Sequence, residues 1–147
     1  MTTLASNRRA RYDYEILDRF EAGIVLQGTE VKSVRAGKVQ LREAYVSVRD
    51  GEAWLIGAHI SPYSHGNRTN HDPDRDRKLL LHRREIDKIY GRTTMQGLTC
   101  VPLDVHLKGN KVKVEIALAR GKKLHDKREA AREKIQRHEA EEAIGRS

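Results

Sequence analysis

The sequence predicts a mainly β protein, a closed antiparallel barrel with two to three short helices and a C-terminal tail that is disordered when free. Alternation is the first reason. Thr99, Val101, Leu103, Val105 and Leu107 alternate with Cys100, Pro102, Asp104 and His106, and Val112, Val114, Ile116 and Leu118 alternate with Lys113, Glu115, Ala117 and Ala119. That is the period of strands with one buried face. Turn chemistry is the second: Asp50-Gly51 and Gly109-Asn110 stand between β-rich arms and supply the positive φ angles of tight hairpins. Third, the strands do not alternate with long helices, which favours antiparallel over parallel pairing. With a formal net charge of +8, these features select the OB-like class of small barrels.

Residues 1–12 read as a basic arm. The first seven have little to bury and are expected to be disordered in the free protein; Arg8, Arg9 and Arg11 follow with no acid before Asp13. On charge alone the arm is either a phosphate-contacting extension or a soluble tail. Residues 13–120 read as the barrel. Ile16, Phe20, Ile24 and Leu26 set against Asp18 and Glu21 predict one long bent strand, with Gly23 at a bulge. Gly28 then turns the chain and Thr29 caps a short helix whose apolar stripe is Val31 and Val34, with Gly37 suited to the left-handed position after it. Glu30, Lys32, Arg35 and Lys38 fall on its other faces. Such a helix plugs one end of a barrel, and its charged face is either merely solvated or turned to a polyanion.

Residues 39–50 and 52–60 are the arms of the first hairpin. Trp54 in the second arm has two readings, a stacking platform for bases or packing at the rim. Residues 61–76, with Pro62, Gly66, Asn67, Asn70 and Pro73, form a loop. Residues 82–90 read as a helix with Ile86, Ile89 and Tyr90 facing inward and Gly91 ending it. Pro102 marks an edge or a bulge in the next strand. At Arg120 the character changes: residues 121–138 hold seven Lys or Arg against three acids, and their apolar content is Leu124, Ala130, Ala131 and Ile135. That is too little to dock on a barrel, yet helix propensity is high from Asp126 and Glu133 precedes Arg137 by four. Residues 121–147 are therefore expected to be disordered when free and helical when bound in a groove walled by RNA; a nonspecific basic tail is the other reading.

Composition excludes several classes. Of 147 residues 37% are hydrophobic and 34% charged, so a single small core is expected. The pI of about 9.8 points to a polyanionic partner. Nucleic acid outranks membrane, because no apolar run approaches the roughly 20 residues of a spanning helix and residues 1–12 lack the apolar centre of a signal peptide; a cytoplasmic location is expected. The single cysteine, Cys100, permits no internal disulfide and no cysteine-rich zinc site. His65, His71, Asp72, Asp74 and Asp76 invite a metal, but an EF-hand loop starting at Asp72 needs Gly at Arg77 and Glu at Arg83, and both fail. No cofactor or metal is expected.

Four stretches, in order from Asn7 to about Arg128, resemble the small protein B family of SsrA-binding proteins. They are Asn-Arg-Arg-Ala-Arg-Tyr-Asp-Tyr from Asn7; Phe-Glu-Ala-Gly from Phe20 with Gly-Thr-Glu-Val-Lys-Ser from Gly28 and Arg-Ala-Gly-Lys from Arg35; Asp-Pro-Asp-Arg-Asp-Arg-Lys-Leu-Leu-Leu from Asp72; and Gly-Lys-Lys-Leu-His-Asp-Lys-Arg-Glu from Gly121. The resemblance implies an adaptor, not an enzyme. It would bind the tRNA-like domain of transfer-messenger RNA (tmRNA) and deliver it to ribosomes stalled on messages without stop codons, in trans-translation, acting as a monomer when free. The tail would enter the empty mRNA channel near the decoding centre of the small subunit. RNA contacts are implied at Asn7, Glu21, Leu80 and Lys113, and electrostatics adds Arg8, Arg9, Arg11, Lys32, Arg35, Lys38 and Lys78. Gly121, Lys122, Lys123, Asp126, Lys127 and Arg128 carry over as ribosome-binding, and His125 suits stacking on a ribosomal base. Two alternatives stand beside this: a ribosomal or initiation-factor-like OB protein binding ribosomal RNA alone, and a metal nuclease built on the His65–Asp76 cluster, which no Walker loop, nucleophile elbow or His-Glu-x-x-His spacing supports.

Overall fold

A computed structural model describes residues 2–63 and 70–122. Lys123, His125, Asp126, Lys127 and Arg128 of the tail, and His65, Gly66 and Asn67 of the loop, lie outside the described residues.

The period-two segments form the longest hairpin, β8 (Thr99–Lys108) and β9 (Lys111–Gly121), with Gly109 at φ 63° in its turn. Their register shifts between Pro102 and Asp104, the bulge that a strand proline without an N–H predicts. β2 (Tyr14–Ile24) runs along the other edge of β9, from Tyr14 opposite Gly121 to Gly23 opposite Lys113. β4 (Tyr45–Arg49) and β5 (Glu52–Ile56) form the second hairpin. Asp50 at φ 52° and Gly51 at φ 75° make its turn, the two left-handed residues that match the strand twist. β7 (Arg77–Leu80) joins β5 to the end of β2, and β4 meets β8 at Val46 and Cys100. The order β8-β4-β5-β7-β2-β9, with β9 back on β8, is a closed antiparallel ring.

Inside the ring Ala22, Leu55, Leu79, Val114, Ile116 and Leu118 are each at most 2% exposed. The opposite face of β9 is covered too. Ala117 and Ala119 pack with Val101, Leu103 and Ala10 of α1 (Arg8–Asp13) in a second, smaller cluster. A two-residue pair, β3 (Val39–Gln40) with β6 (His59–Ile60), extends the β4–β5 hairpin beyond an interruption.

The structure corrects several expectations. Residues 2–6 are not disordered: they form β1 (Thr2–Ser6), antiparallel to β8 with Thr3 opposite His106 and Ser6 opposite Asp104. β4 reaches β8 only at Cys100, so this half of the β8 edge would otherwise leave its backbone unpaired, and β1 covers it. The irregularity in β2 falls between Ile16 and Asp18, not at Gly23. Gly23 keeps regular register, and a Cβ there would lie 3.2 Å from Leu80 Cβ, so it serves close approach.

The short helix, α2 (Gly28–Arg35), is capped from Gln27, whose backbone N–H donates to Glu30 Oε1 at 2.8 Å, and not from Thr29. Val34 enters the core and Gly37 is left-handed at φ 76°. Finally, α3 (Arg83–Met95) passes through Gly91, and Tyr90 is 54% exposed instead of inward. Thr93 and Thr94 hydroxyls donate to the carbonyls of Ile89 and Tyr90 at 2.8 and 2.6 Å, and Gly97 at φ 66° follows the helix end. Ile86 and Ile89 face the core as predicted.

Candidate RNA interface

Cross-strand register assembles the central surface. Leu80 of β7 stands opposite Gly23 of β2, Gly23 opposite Lys113 of β9, and Lys113 opposite His106 of β8. Directly opposed residues share a face, so one row spans four strands. Its neighbours toward the core, Ala22, Leu79, Val114 and Val105, are buried, whereas Leu80 is 54% exposed. Glu21 lies on the same outward face, two residues before Gly23. Glu21, Leu80 and Lys113, predicted as RNA contacts from distant parts of the sequence, thus share one face.

Glu21 is held from two sides. His106 Nε2 is 3.0 Å from its Oε2 and Lys108 Nζ donates to its Oε1 at 3.1 Å. The hydrogen bond from His106, then that from Lys108, holds the Glu21 carboxyl below its usual range despite some desolvation. At neutral pH it is an acceptor in a basic field. Lys78 lies two residues before Leu80 on β7 and pairs with Glu52; Trp54 is its cross-strand neighbour and is half-buried.

α2 carries the next cations. Arg35 donates to the carbonyl of Asn110 at 3.0 Å, joining the helix to the β8–β9 turn and so to the strand ends bearing Lys108 and Lys113. Lys32 lies 5.4 Å from the Tyr63 ring centroid, and Lys38 is exposed. Glu30, predicted on a polar face, is instead fully buried beneath them. It receives Arg75 at 2.5 Å and Arg77 at 2.7 Å. Burial disfavours its charge, but the two guanidiniums and the Gln27 N–H prevail and lower its pKa.

The arm forms a separate part. Asn7 is 4% exposed; its amide donates to the carbonyls of Leu41 and Pro102 at 3.2 and 2.9 Å and its Oδ1 accepts from Ala10 N–H at 3.2 Å. It therefore caps α1 and pins it to the ring. Arg8 and Arg9 are exposed beside it and, with Arg42, line a cleft of about 550 Å³. Gly121 and Lys122, assigned to the tail, belong to the body: Gly121 ends β9, and Lys122 N–H donates to Asp13 O at 2.9 Å. His71 is buried between Thr29 Oγ1 at 2.9 Å and Ile60 O at 2.8 Å.

Sequence reasoning missed His106 and Arg42. His106 sat in the polar half of an alternating strand, and the one available signal was its spacing from Asp104. Arg42 lay inside a predicted strand arm, where the sequence marks no cleft.

A closed basic ring whose outward face carries cations, a fixed carboxylate and an apolar side chain has the features of a nucleic-acid-binding β module, in which cations attract phosphates and the other groups suit hydrogen bonding and stacking. The chain belongs to the SmpB family, whose model, described as "SmpB protein", matches residues 4–146; this is a family of RNA-binding proteins, not enzymes. It is 52% identical over 141 residues to an SsrA-binding protein of Carboxydothermus hydrogenoformans, covering 96% of this chain and 95% of that one. With an SsrA-binding protein of a Nostoc species the identity is 58% over 142 residues, covering 96% and 92%. A solved structure described as "tmRNA-SmpB: a journey to the center of the bacterial ribosome" matches at TM-score 0.71 and 48% identity, over 87% of this chain and 94% of that chain.

Proposed function

We propose that this chain binds the tRNA-like domain of tmRNA and brings it to stalled ribosomes for trans-translation, in the cytoplasm and as a monomer before binding. The observation that carries this reading is the cross-strand row, which gathers Glu21, Leu80 and Lys113 onto one outward face. Relatives named SsrA-binding protein and the tmRNA–SmpB complex support the choice of RNA. Lys113, Lys78, Lys32, Arg35 and Lys38 supply phosphate attraction, and Leu80 offers an apolar edge to a base. Glu21 accepts from a 2′-hydroxyl or a base N–H. Asn7 contributes by holding α1 so that Arg8 and Arg9 face the RNA.

In the finer part of the proposal, residues 123–147 enter the empty mRNA channel at the decoding centre as a helix. Lys123, His125, Asp126, Lys127 and Arg128 act there, while Gly121 and Lys122 anchor the tail's root. The test is to sequence the RNA that copurifies with the tagged protein from its host. Strong enrichment of tmRNA over ribosomal RNA is expected; ribosomal RNA without tmRNA would favour the initiation-factor-like alternative.

A further inference from the structure

His106 occupies the outward row, between Lys113 of β9 and Thr3 of β1, yet its side chain is only 2% exposed. Its two ring nitrogens each meet a carboxylate: Nδ1 lies 2.7 Å from Asp104 Oδ1 and Nε2 lies 3.0 Å from Glu21 Oε2. Ionised carboxylates only accept, and a neutral imidazole can donate from one nitrogen alone. Both contacts are hydrogen bonds together only if the ring is an imidazolium. We propose that His106, as an imidazolium clamped between Asp104 and Glu21, is the positioning residue that orients the Glu21 carboxylate toward RNA and makes recognition sensitive to pH.

The surrounding charges fit this role. Burial disfavours the cation, but the hydrogen bonds it donates to Asp104 and Glu21 outweigh that and raise the imidazole pKa. On β8, Lys108 also reaches Glu21, but its side chain is 65% exposed and anchors less firmly. On β9, Lys113 opposes His106, and Glu115 opposes both Asp104 and Glu21. Arg19 of β2 engages Glu115 at 3.1 Å, so that third carboxylate has its own cation. β1 presents Thr3, which does not titrate. Deprotonation of His106 leaves an imidazole that can donate to only one of its two acids. Glu21 is then held by Lys108 alone or loses its fixed direction. This inference rests on the proposed recognition role of Glu21.

The test combines binding and titration. The dissociation constant for a transcript of the tRNA-like domain is measured at fixed salt, at about pH 6 and about pH 8.5, for the parent, His106→Gln, Glu21→Gln and the double variant. Affinity of the parent is expected to fall with rising pH. His106→Gln should weaken binding roughly tenfold at the lower pH, the scale of one charged hydrogen bond, and should flatten the profile. The double variant should bind no worse than Glu21→Gln. In the parent itself, NMR titration of His106 should show its pKa rising when RNA binds, since linkage is reciprocal. An unchanged His106 pKa on binding, or additive losses in the double variant, would overturn the positioning role while leaving Glu21 a recognition residue. Parent-like affinity for Glu21→Gln would overturn the reading of Glu21 and this inference with it.

Discussion

Arg77 and Glu30, forty-seven positions apart, meet at 2.7 Å with both side chains fully buried. Arg77 also donates to the carbonyls of Ala58 and Pro73 at 2.7 and 3.0 Å. One guanidinium thus ties α2 to the strand ends and to the loop before β7. A buried ion pair owes its stability to the completeness of its hydrogen bonds, and removing one partner leaves the other charge stranded.

Arg77→Met or Glu30→Gln should therefore each destabilise the fold by about 3–5 kcal/mol, measured by urea denaturation. The combined replacement by apolar residues should cost less than the sum of the two. Stability should also depend on pH in a defined direction. The folded pKa of Glu30 is lowered, so its contribution is full above the ordinary glutamate value and is lost as pH falls through the folded value. Glu30→Gln should reduce that acid dependence.

Cys100 offers a probe of the core. Burial pushes its thiol up to about 12, and thiolate is the reactive form. Iodoacetamide at neutral pH should leave the folded protein unmodified and label it at the rate of unfolding; rapid labelling without denaturant would place the thiol at the surface.

Much of this architecture was legible because its determinants are local. Asp50-Gly51 and Gly109-Asn110 each mark a turn by neighbouring residues alone, and Val114, Ile116 and Leu118 reveal their face by spacing. What escaped depends on distant partners. Glu30 is a polar helix residue until Arg75 and Arg77 arrive from across the chain. β1 is an unremarkable Thr-Leu-Ala stretch until the uncovered edge of β8 receives it. Gly91 ordinarily ends a helix, yet α3, held to the ring by Ile86 and Ile89, runs on to Met95. At the candidate site, Glu21, Leu80 and Lys113 came from the family resemblance, and register explains why those positions belong together. His106 needed the fold to bring Glu21 to it.

Truncation after Lys122 should leave both melting temperature and affinity for the tRNA-like domain essentially unchanged, while tagging of stalled chains fails. Of residues 123–147, seven are Lys or Arg and six are Asp or Glu, a density of charge that leaves little apolar surface to bury against the ring. A large fall in melting temperature would mean that the tail packs on the body.

Asp126 separates helix formation from bulk charge. In the tail helix we propose, an N-terminal carboxylate at Asp126 would cap free backbone N–H groups and oppose the positive end of the helix dipole, a contribution of roughly 0.5–2 kcal/mol. Asp126→Ala and Asp126→Asn raise the net charge equally, but Asn still caps. In a reconstituted tagging assay Ala should lower the yield, Asn should retain part of it, and neither should alter binding to free RNA. Tagging with Ala equal to or better than the parent would leave charge as the sufficient explanation.

The central claim is specific recognition by the outward face that carries Glu21, and the direct measurement is an equilibrium titration of the tRNA-like domain at fixed salt with the parent protein and Glu21→Ala. Removing a negative charge from a basic surface strengthens purely electrostatic attraction to phosphates. Weaker binding of Glu21→Ala with an unchanged melting temperature is the predicted result. Equal or tighter binding would contradict it.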